Sequence, residues 1–460
     1  MSNLSAAPLW TAEDAAIATD GSVLGDWTVS GLSIDSRSIK TGEMFVPLKD
    51  ARDGHDFIDG ARSNGAGAIM SERQNEAAPA LLVDDTISAL HNMAAYARQR
   101  CCAKRIAVTG SVGKTSVKEA LAHILDGFGD THKSIKSFNN HWGVPLTLAN
   151  MPASSEYGVF EMGMNHAGEL TQLSEIVKPD IALITTVAPA HLAHFKDVAA
   201  IADAKAEIIA GLGPNGLLIL NADNEHTPRI IQMAAKKRIK CMTFGRDESA
   251  DVRITRAQTK AAGSTASLKI DGKVIDIALS VPGEHWVSNA AACMAVIHGL
   301  GLDLNAAAKR LGDIGAAAGR GQMHSLSLDG KNITLIDDSY NANPTSMDAA
   351  ISVLGAQAGR KLAVLGDMFE LGKDELALHA ALAQPLEAAS VSRVIVSGEC
   401  MRALRGALPQ NMRAAWCADW TGALDALLSE IENNDVVLVK GSNSVGLSKL
   451  VEALIEKGDA

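Results

Sequence analysis

A chain of 460 residues has room for about three domains of 100–200 residues each, and an apolar share of 47% lets each bury a core. Its 42 basic and 53 acidic residues leave a formal charge of −11, which excludes a general nucleic-acid binder and requires any anionic ligand to meet local positive charge. The chain opens without a basic leader and apolar stretch, and no run approaches about 18 apolar residues, so no membrane insertion is expected and the cytosol is the expected location.

The six cysteines show no Cys-x-x-Cys spacing, which suits a reducing compartment. Residues 1–100 read as a small α/β domain with strands near 32–34, 44–47 and 66–70. Ser36 and Arg37 stand in a turn before an apolar run, where a hydroxyl and a guanidinium can hold a diphosphate, although such a pair taken alone is more often a solvated loop.

Residues 101–314 alternate strands, near 106–109, 158–161, 181–187 and 217–220, with helical stretches, the pattern of a parallel sheet with crossover helices. In such sheets ligands collect beyond the carboxyl ends of the strands. The first strand runs into Gly110-Ser111-Val112-Gly113-Lys114-Thr115-Ser116, a phosphate loop shortened by one element, since Val108 stands where the full pattern has its first glycine. The glycines permit positive φ, the following amides open a helix, Lys114 supplies a charge for the β and γ phosphates, and Thr115 offers a hydroxyl to Mg²⁺. Glu161 ends the second strand and is a candidate carboxylate ligand for the same cation. His191 follows the third strand, within reach of a second metal or a phosphate, or serves structure alone. Asn221-Ala-Asp223 follows the fourth. Lys205 lies in a stretch of helical spacing, where a solvated lysine is the ordinary reading. Residues 251–282 suggest a hairpin turning at Asp271-Gly272. From 315 onward a second α/β series follows, with strands near 333–336, 362–365, 394–396 and 436–439. The small residues of 315–321 make a plausible hinge before it.

Several motifs together resemble one family. Thr109 to Ser116, Glu161-Met-Gly163, Ala188-Pro-Ala-His191, Ala204-Lys-Ala-Glu207 and Leu220-Asn-Ala-Asp223 are similar to the central domain of the Mur ligases of cell-wall synthesis. Asp337-Asp-Ser-Tyr-Asn-Ala-Asn-Pro-Thr-Ser-Met347, Gly366-Asp-Met-Phe-Glu-Leu-Gly372 and Lys440-Gly-Ser442 resemble the family branch that joins D-alanyl-D-alanine to UDP-N-acetylmuramoyl tripeptide. The resemblance implies three α/β domains: a UDP-substrate domain at 1–100, a central P-loop parallel-sheet domain at 101–314 that binds ATP, and a C-terminal Rossmann-like domain at 315–460.

It further implies that Lys114 and the loop amides hold ATP phosphates, that Thr115 and Glu161 bind one Mg²⁺, and that His191 helps bind a second. Lys205 matches a lysine carbamylated in many members, a change that turns a cation into an anionic metal ligand. Asn289 matches the adenine-recognising asparagine, Arg320 and Asp338 the residues that reach phosphate and ribose, and Ser36, Arg37, Asn139 and Asn140 the UDP-sugar peptide contacts. Tyr340, Asn341 and Asn343 are candidates for gripping D-alanyl-D-alanine. Trp286, where asparagine is common, and Asn443, where arginine usually follows Lys-Gly-Ser, depart from the pattern.

The implied reaction proceeds through an acyl phosphate in a monomer whose domains close to bring Arg320 onto ATP, so an open arrangement is expected before ligand binding. Two other readings are weighed: an amide ligase for a different amino acid or for folate, disfavoured by the 337–344 motif and the Ser36-Arg37 region, and a nucleotide switch or motor, which would turn over nucleotide without a carboxylate acceptor.

Overall fold

Every strand expected in the central and C-terminal series is present in the computed structural model, which describes residues 8–190 and 192–458. The central sheet has nine strands. At its middle the strand Lys104–Thr109 pairs in parallel with Tyr157–Glu161 on one side and with Ile181–Ile184 on the other, and Leu217–Asn221 follows Ile181–Ile184. These four adjacent parallel strands bring their carboxyl ends to one edge, as the alternation of elements requires. The sequence reading missed the edge strand Thr131–Lys133 and the strand Lys240–Gly245, which are short or partly polar. The expected hairpin is a three-stranded antiparallel extension of the same sheet, Val252–Lys260, Gly263–Ile270 and Lys273–Leu279. Its last turn is Asp271-Gly272, both with positive φ (47° and 76°), as a tight two-residue hairpin demands.

The N-terminal part forms a five-stranded sheet in the order Ser22–Leu24, Ala80–Leu82, Ala68–Ser71, Met44–Phe45, Leu32–Ser33. Beside it stands a small ribbon of Trp10–Thr11 and Thr28–Val29. It does not keep a core to itself. One buried apolar cluster runs from Trp10, Met44 and Leu90 through Leu148 to Phe160 and Ile184 of the central domain, and the Trp10 indole N–H donates to the Ala149 carbonyl at 2.9 Å.

The C-terminal sheet has six strands, with Val436–Lys440 between Lys331–Asp338 and Lys361–Gly366, and buries separate clusters on its two faces. Within the 315–321 stretch, Gly319 and Gly321 are held to this domain. The Gly319 amide donates to the Asp337 carboxylate (2.9 Å) and the Gly321 amide to the Asp337 carbonyl (2.8 Å). The six cysteines are free thiols, and among the described residues no helix is long and apolar enough to cross a membrane.

Candidate active site

The turn after Lys104–Thr109 has room for glycine alone at its first position. A Cβ on Gly110 (φ +152°) would lie 1.9 Å from the Thr185 hydroxyl, and one on Gly113 (φ +86°) would lie 2.9 Å from the Asn289 side-chain oxygen. Gly113 caps the helix Lys114–Leu125, so the helix N-terminus and its free amides face the sheet edge. The Ser111 hydroxyl and amide are engaged inside the protein: the hydroxyl donates to the Ala188 carbonyl and accepts from the Ala188 amide (both 2.9 Å), and the amide donates to Thr186. The Thr185 hydroxyl donates to the Val112 carbonyl. These bonds fasten the phosphate loop to the end of the third strand.

A cavity of about 380 Å³ opens in front of this loop, walled on the far side by the C-terminal domain. The structure brings together there Ser111–Ser116, Asn139, Glu161 and Asn289 from the central domain, and Arg320, Asp338, Tyr340, Asn341 and Asn343 from beyond residue 315. Lys114 donates to the Gly110 carbonyl at 2.7 Å. Burial pulls its ammonium below the usual range and Arg320 adds to this, while Glu161 opposes it. The buried Glu161 carboxylate accepts from the Thr115 hydroxyl (2.8 Å) and from the Asn139 amide (2.8 Å), and Ser137 stands 3.4 Å from Thr115. This oxygen-rich set suits a hard cation such as Mg²⁺, which takes hydroxyl, carboxylate and phosphate oxygens. Among the described residues no group of three His, Cys, Asp or Glu could alone hold a metal, so phosphate oxygens would have to complete the shell. His191 lies outside the described residues.

Lys205 is 2% exposed, on the helix Val198–Ala206, and is not among the residues that line the cavity. Burial, then the charge of Lys114, holds its amine well below the ordinary lysine range. A lowered amine is the more readily deprotonated and nucleophilic, a property that helical spacing could not reveal.

Across the cavity the Arg320 guanidinium lies over the Tyr340 ring, 4.2 Å from its centre, and donates to the Ser137 hydroxyl at 3.2 Å. Asp338 pairs with the buried Lys440 ammonium at 2.8 Å; burial raises its carboxyl, against the pull of Lys440 and Arg320. Lys440 also donates to the Asn341 carbonyl at 2.8 Å and so shapes the Asp338–Asn343 loop. Asn343 caps the helix Pro344–Gly355 in a reciprocal bond pair with Ser346, which commits its side chain to structure. Arg320 bonded to Ser137 and the Ala193 amide donating to Glu370 of the C-terminal domain (3.0 Å) bring the C-terminal domain against the central domain across the cavity. These protein–protein bonds are enough to bridge the two domains.

Other predicted residues lie apart. Ser36 and Arg37 are not part of the cavity wall. Arg37 forms a two-pronged bond with Asp35 and holds that carboxyl low, with burial opposing and Lys136 adding a weaker pull. The 34–37 turn is thus close to the 134–140 loop that carries Asn139. Asn140 accepts from the Gly143 amide at the start of the next helix. Trp286 is buried yet lines the cavity, and Asn443 is exposed in a 3₁₀ turn. The sequence reading missed Ser137, His285 and an apolar slot where Ala350 and Val353 of the helix Pro344–Gly355 join Pro282 and Trp286 in lining the cavity. The slot's only sequence signal was the apolar face of a helix, which reads as core, while Ser137 and His285 read as ordinary polar residues of a turn and a helix start.

Comparison with known proteins finds similarity along nearly the whole chain. Residues 108–297 match the Mur ligase middle domain, 319–443 the Mur ligase glutamate ligase domain, and 28–126 the catalytic domain of the Mur ligase family. The chain is 36% identical over 437 residues to the UDP-N-acetylmuramoyl-tripeptide--D-alanyl-D-alanine ligase of Escherichia coli K12, covering 94% of this chain and 95% of that protein. It is 32% identical to the enzyme of the same name from Rickettsia prowazekii, covering 96% and 99%. A crystal structure of MurF from Acinetobacter baumannii superposes with a TM-score of 0.85 at 32% identity, covering 97% of this chain and 99% of that one. MurF ligase from Thermotoga maritima in complex with ADP superposes with a TM-score of 0.79 at 26% identity, covering 93% and 98%.

Proposed function

The chain belongs to the Mur ligase family, and within it we propose that it joins D-alanyl-D-alanine to UDP-N-acetylmuramoyl tripeptide at the expense of ATP, yielding the pentapeptide precursor of peptidoglycan, ADP and phosphate. The observation that carries this reading is the cavity itself: a phosphate loop whose Lys114 and Thr115 face Glu161 on one wall, and the Arg320 and Asp338–Asn343 wall opposite. In our assignment residues 1–100 hold the UDP end through Ser36, Arg37, Asn139 and Asn140, residues 101–314 hold ATP, and residues 315–460 complete the nucleotide site and present the dipeptide near Tyr340 and Asn341.

A carboxylate oxygen of the tripeptide attacks the γ-phosphorus, the bond from phosphorus to the bridging oxygen breaks, and ADP leaves with the electron pair. The dipeptide amine then attacks the acyl carbon, loses a proton, and expels phosphate. Both partners of the first step are anions, so the site must cancel charge before it can align them. Lys114 places its ammonium at the phosphate loop, and Arg320 adds a second cation from the opposite wall. Thr115 and Glu161 would hold one Mg²⁺, and His191 with a carbamylated Lys205 a second; bound there, the cations neutralise phosphate charge. Burial, then the charge of Lys114, lowers the Lys205 amine, the direction that favours carbamylation, in which its nitrogen adds to CO₂ and releases a proton. Asn289 faces the cavity from beside the loop, where a base would be read.

The test is to incubate the protein with ATP, Mg²⁺, UDP-N-acetylmuramoyl tripeptide and D-alanyl-D-alanine and to follow ADP and pentapeptide together. The two should appear in equal amounts, whereas nucleotide turnover indifferent to the dipeptide would refute the proposal in favour of a switch or motor. Lys205→Ala should lose activity and regain part of it with a short carboxylic acid; full activity without rescue would remove Lys205 from the site.

A further inference from the structure

Lys118 has no part in the chemistry above, yet its side chain is fully buried. It stands one helical turn beyond Lys114 on the helix Lys114–Leu125. Its ammonium donates to the Ser134 carbonyl (2.9 Å) and the Lys136 carbonyl (2.6 Å) and pairs with the Glu119 carboxylate at 2.8 Å, so three partners match its three N–H groups. Glu119 also holds Lys133, at the end of the edge strand Thr131–Lys133.

The two carbonyls belong to a loop that leaves this edge strand and crosses toward the cavity. Lys136 has φ +50°, a left-handed conformation unusual for a residue with a Cβ, and its carbonyl faces the Lys118 ammonium. Three side chains around the loop lead to the site. The Ser134 hydroxyl accepts from the Glu161 amide (3.1 Å), the Ser137 hydroxyl lies between Thr115 (3.4 Å) and Arg320 (3.2 Å), and Asn139 donates to Glu161. The helix that carries Lys114 and Thr115 therefore also grips, from below, the loop that meets Arg320.

We propose that Lys118 is a positioning residue of the ligase site: its ammonium fixes the 134–137 loop so that Ser137 stands between Thr115 and Arg320 when the C-terminal domain is closed. This inference rests on the ligase reading of the cavity. Because the loop of Gly110–Thr115 holds the phosphates without help from Lys118, its effect falls on the closed, reacting arrangement rather than on nucleotide capture. Binding and turnover should separate accordingly.

The experiment is a cycle of Lys118→Met, Ser137→Ala and the double variant, read by steady-state kinetics and by hydrogen exchange of the protein alone. Lys118→Met should lower kcat about 10–100-fold, the usual cost of losing a group that orients site residues, and change the KM for ATP less than about threefold. On the Ser137→Ala background the same change should cost less than about threefold, because its target is already gone. Exchange should quicken across residues 134–138 in Lys118→Met, with residues 104–113 unchanged, and should stay as in the parent in Ser137→Ala. Additive losses, or a rise in KM alone, would overturn the proposal. If Lys118→Met does not fold, the cycle is run with Lys118→Gln; failure of both to fold would mean that Lys118 serves the fold alone and would likewise overturn it. Exchange needs no turnover, so unchanged exchange at 134–138 defeats this inference, whereas a parent protein without ligase turnover defeats the reading beneath it.

Discussion

Where the first hundred residues meet the central domain, Trp10, Met44 and Leu90 share one buried apolar cluster with Leu148 and Phe160. Where the C-terminal domain meets it, the joins are hydrogen bonds, Arg320 to Ser137, Ala193 to Glu370 and Gln357 to the Ala261 carbonyl, around a cavity. Among the described residues the C-terminal clusters include no residue of the central sheet. An apolar join stabilises in proportion to the area it hides and tolerates little separation. A join of a few polar contacts contributes about 1 kcal/mol apiece and exchanges readily for water. The first two domains should therefore behave as one body that carries the UDP-linked substrate and the phosphate loop together, and the C-terminal domain as the part that opens and closes.

The largest effect that would break this contrast is expected at Trp10. Its indole is fully buried beside Tyr96, with Arg100 over the ring, so Trp10→Ala should cost about 3–5 kcal/mol. In calorimetry the N-terminal and central domains should lose stability together; a shift confined to residues 1–100 would show two separate bodies. Arg320→Ala should do the reverse. Turnover should fall about 10²-fold through loss of a cation facing the phosphates, while stability should change by no more than about 0.5 kcal/mol, because the side chain bridges a polar join. A large drop in melting temperature would mean that this join, too, supports the fold.

A smaller effect is expected with pH. Loss of hydration against the cavity wall, then the charge of Lys440, lowers the His285 imidazole from 6.5 to about 4, and because the side chain keeps an exposed face the effect on stability is small. Between these values the unfolded chain takes up a proton that the folded chain refuses, so stability present above about pH 6.5 should drain away toward pH 4. His285→Gln should flatten that part of the stability profile; an unchanged profile would place the loss at other groups.

How much of this was legible beforehand follows from the range over which each signal acts. The phosphate loop, the strand ends and the C-terminal strands are written in contiguous residues, and Thr115 and Glu161 meet because neighbouring parallel strands deliver them to one edge. The shared core at Trp10 was not legible, since its partners near Ala149 lie 139 residues away. Lys205 looks like a solvated helix residue by spacing, Lys118 carries no sequence signal of its own, and burial alone marks them both. Within the 315–321 stretch, the tie of the Gly319 and Gly321 amides to Asp337 was not legible, because composition does not announce that partner.

The step that requires all three parts at once is transfer of the γ-phosphoryl group to the tripeptide carboxylate, and it can be followed by atom. With ¹⁸O in that terminal carboxylate, one labelled oxygen should appear in the phosphate released for each pentapeptide formed, because the acyl phosphate carries the carboxylate oxygen away when the dipeptide amine displaces it. Released phosphate free of ¹⁸O, with pentapeptide still formed, would contradict the mechanism.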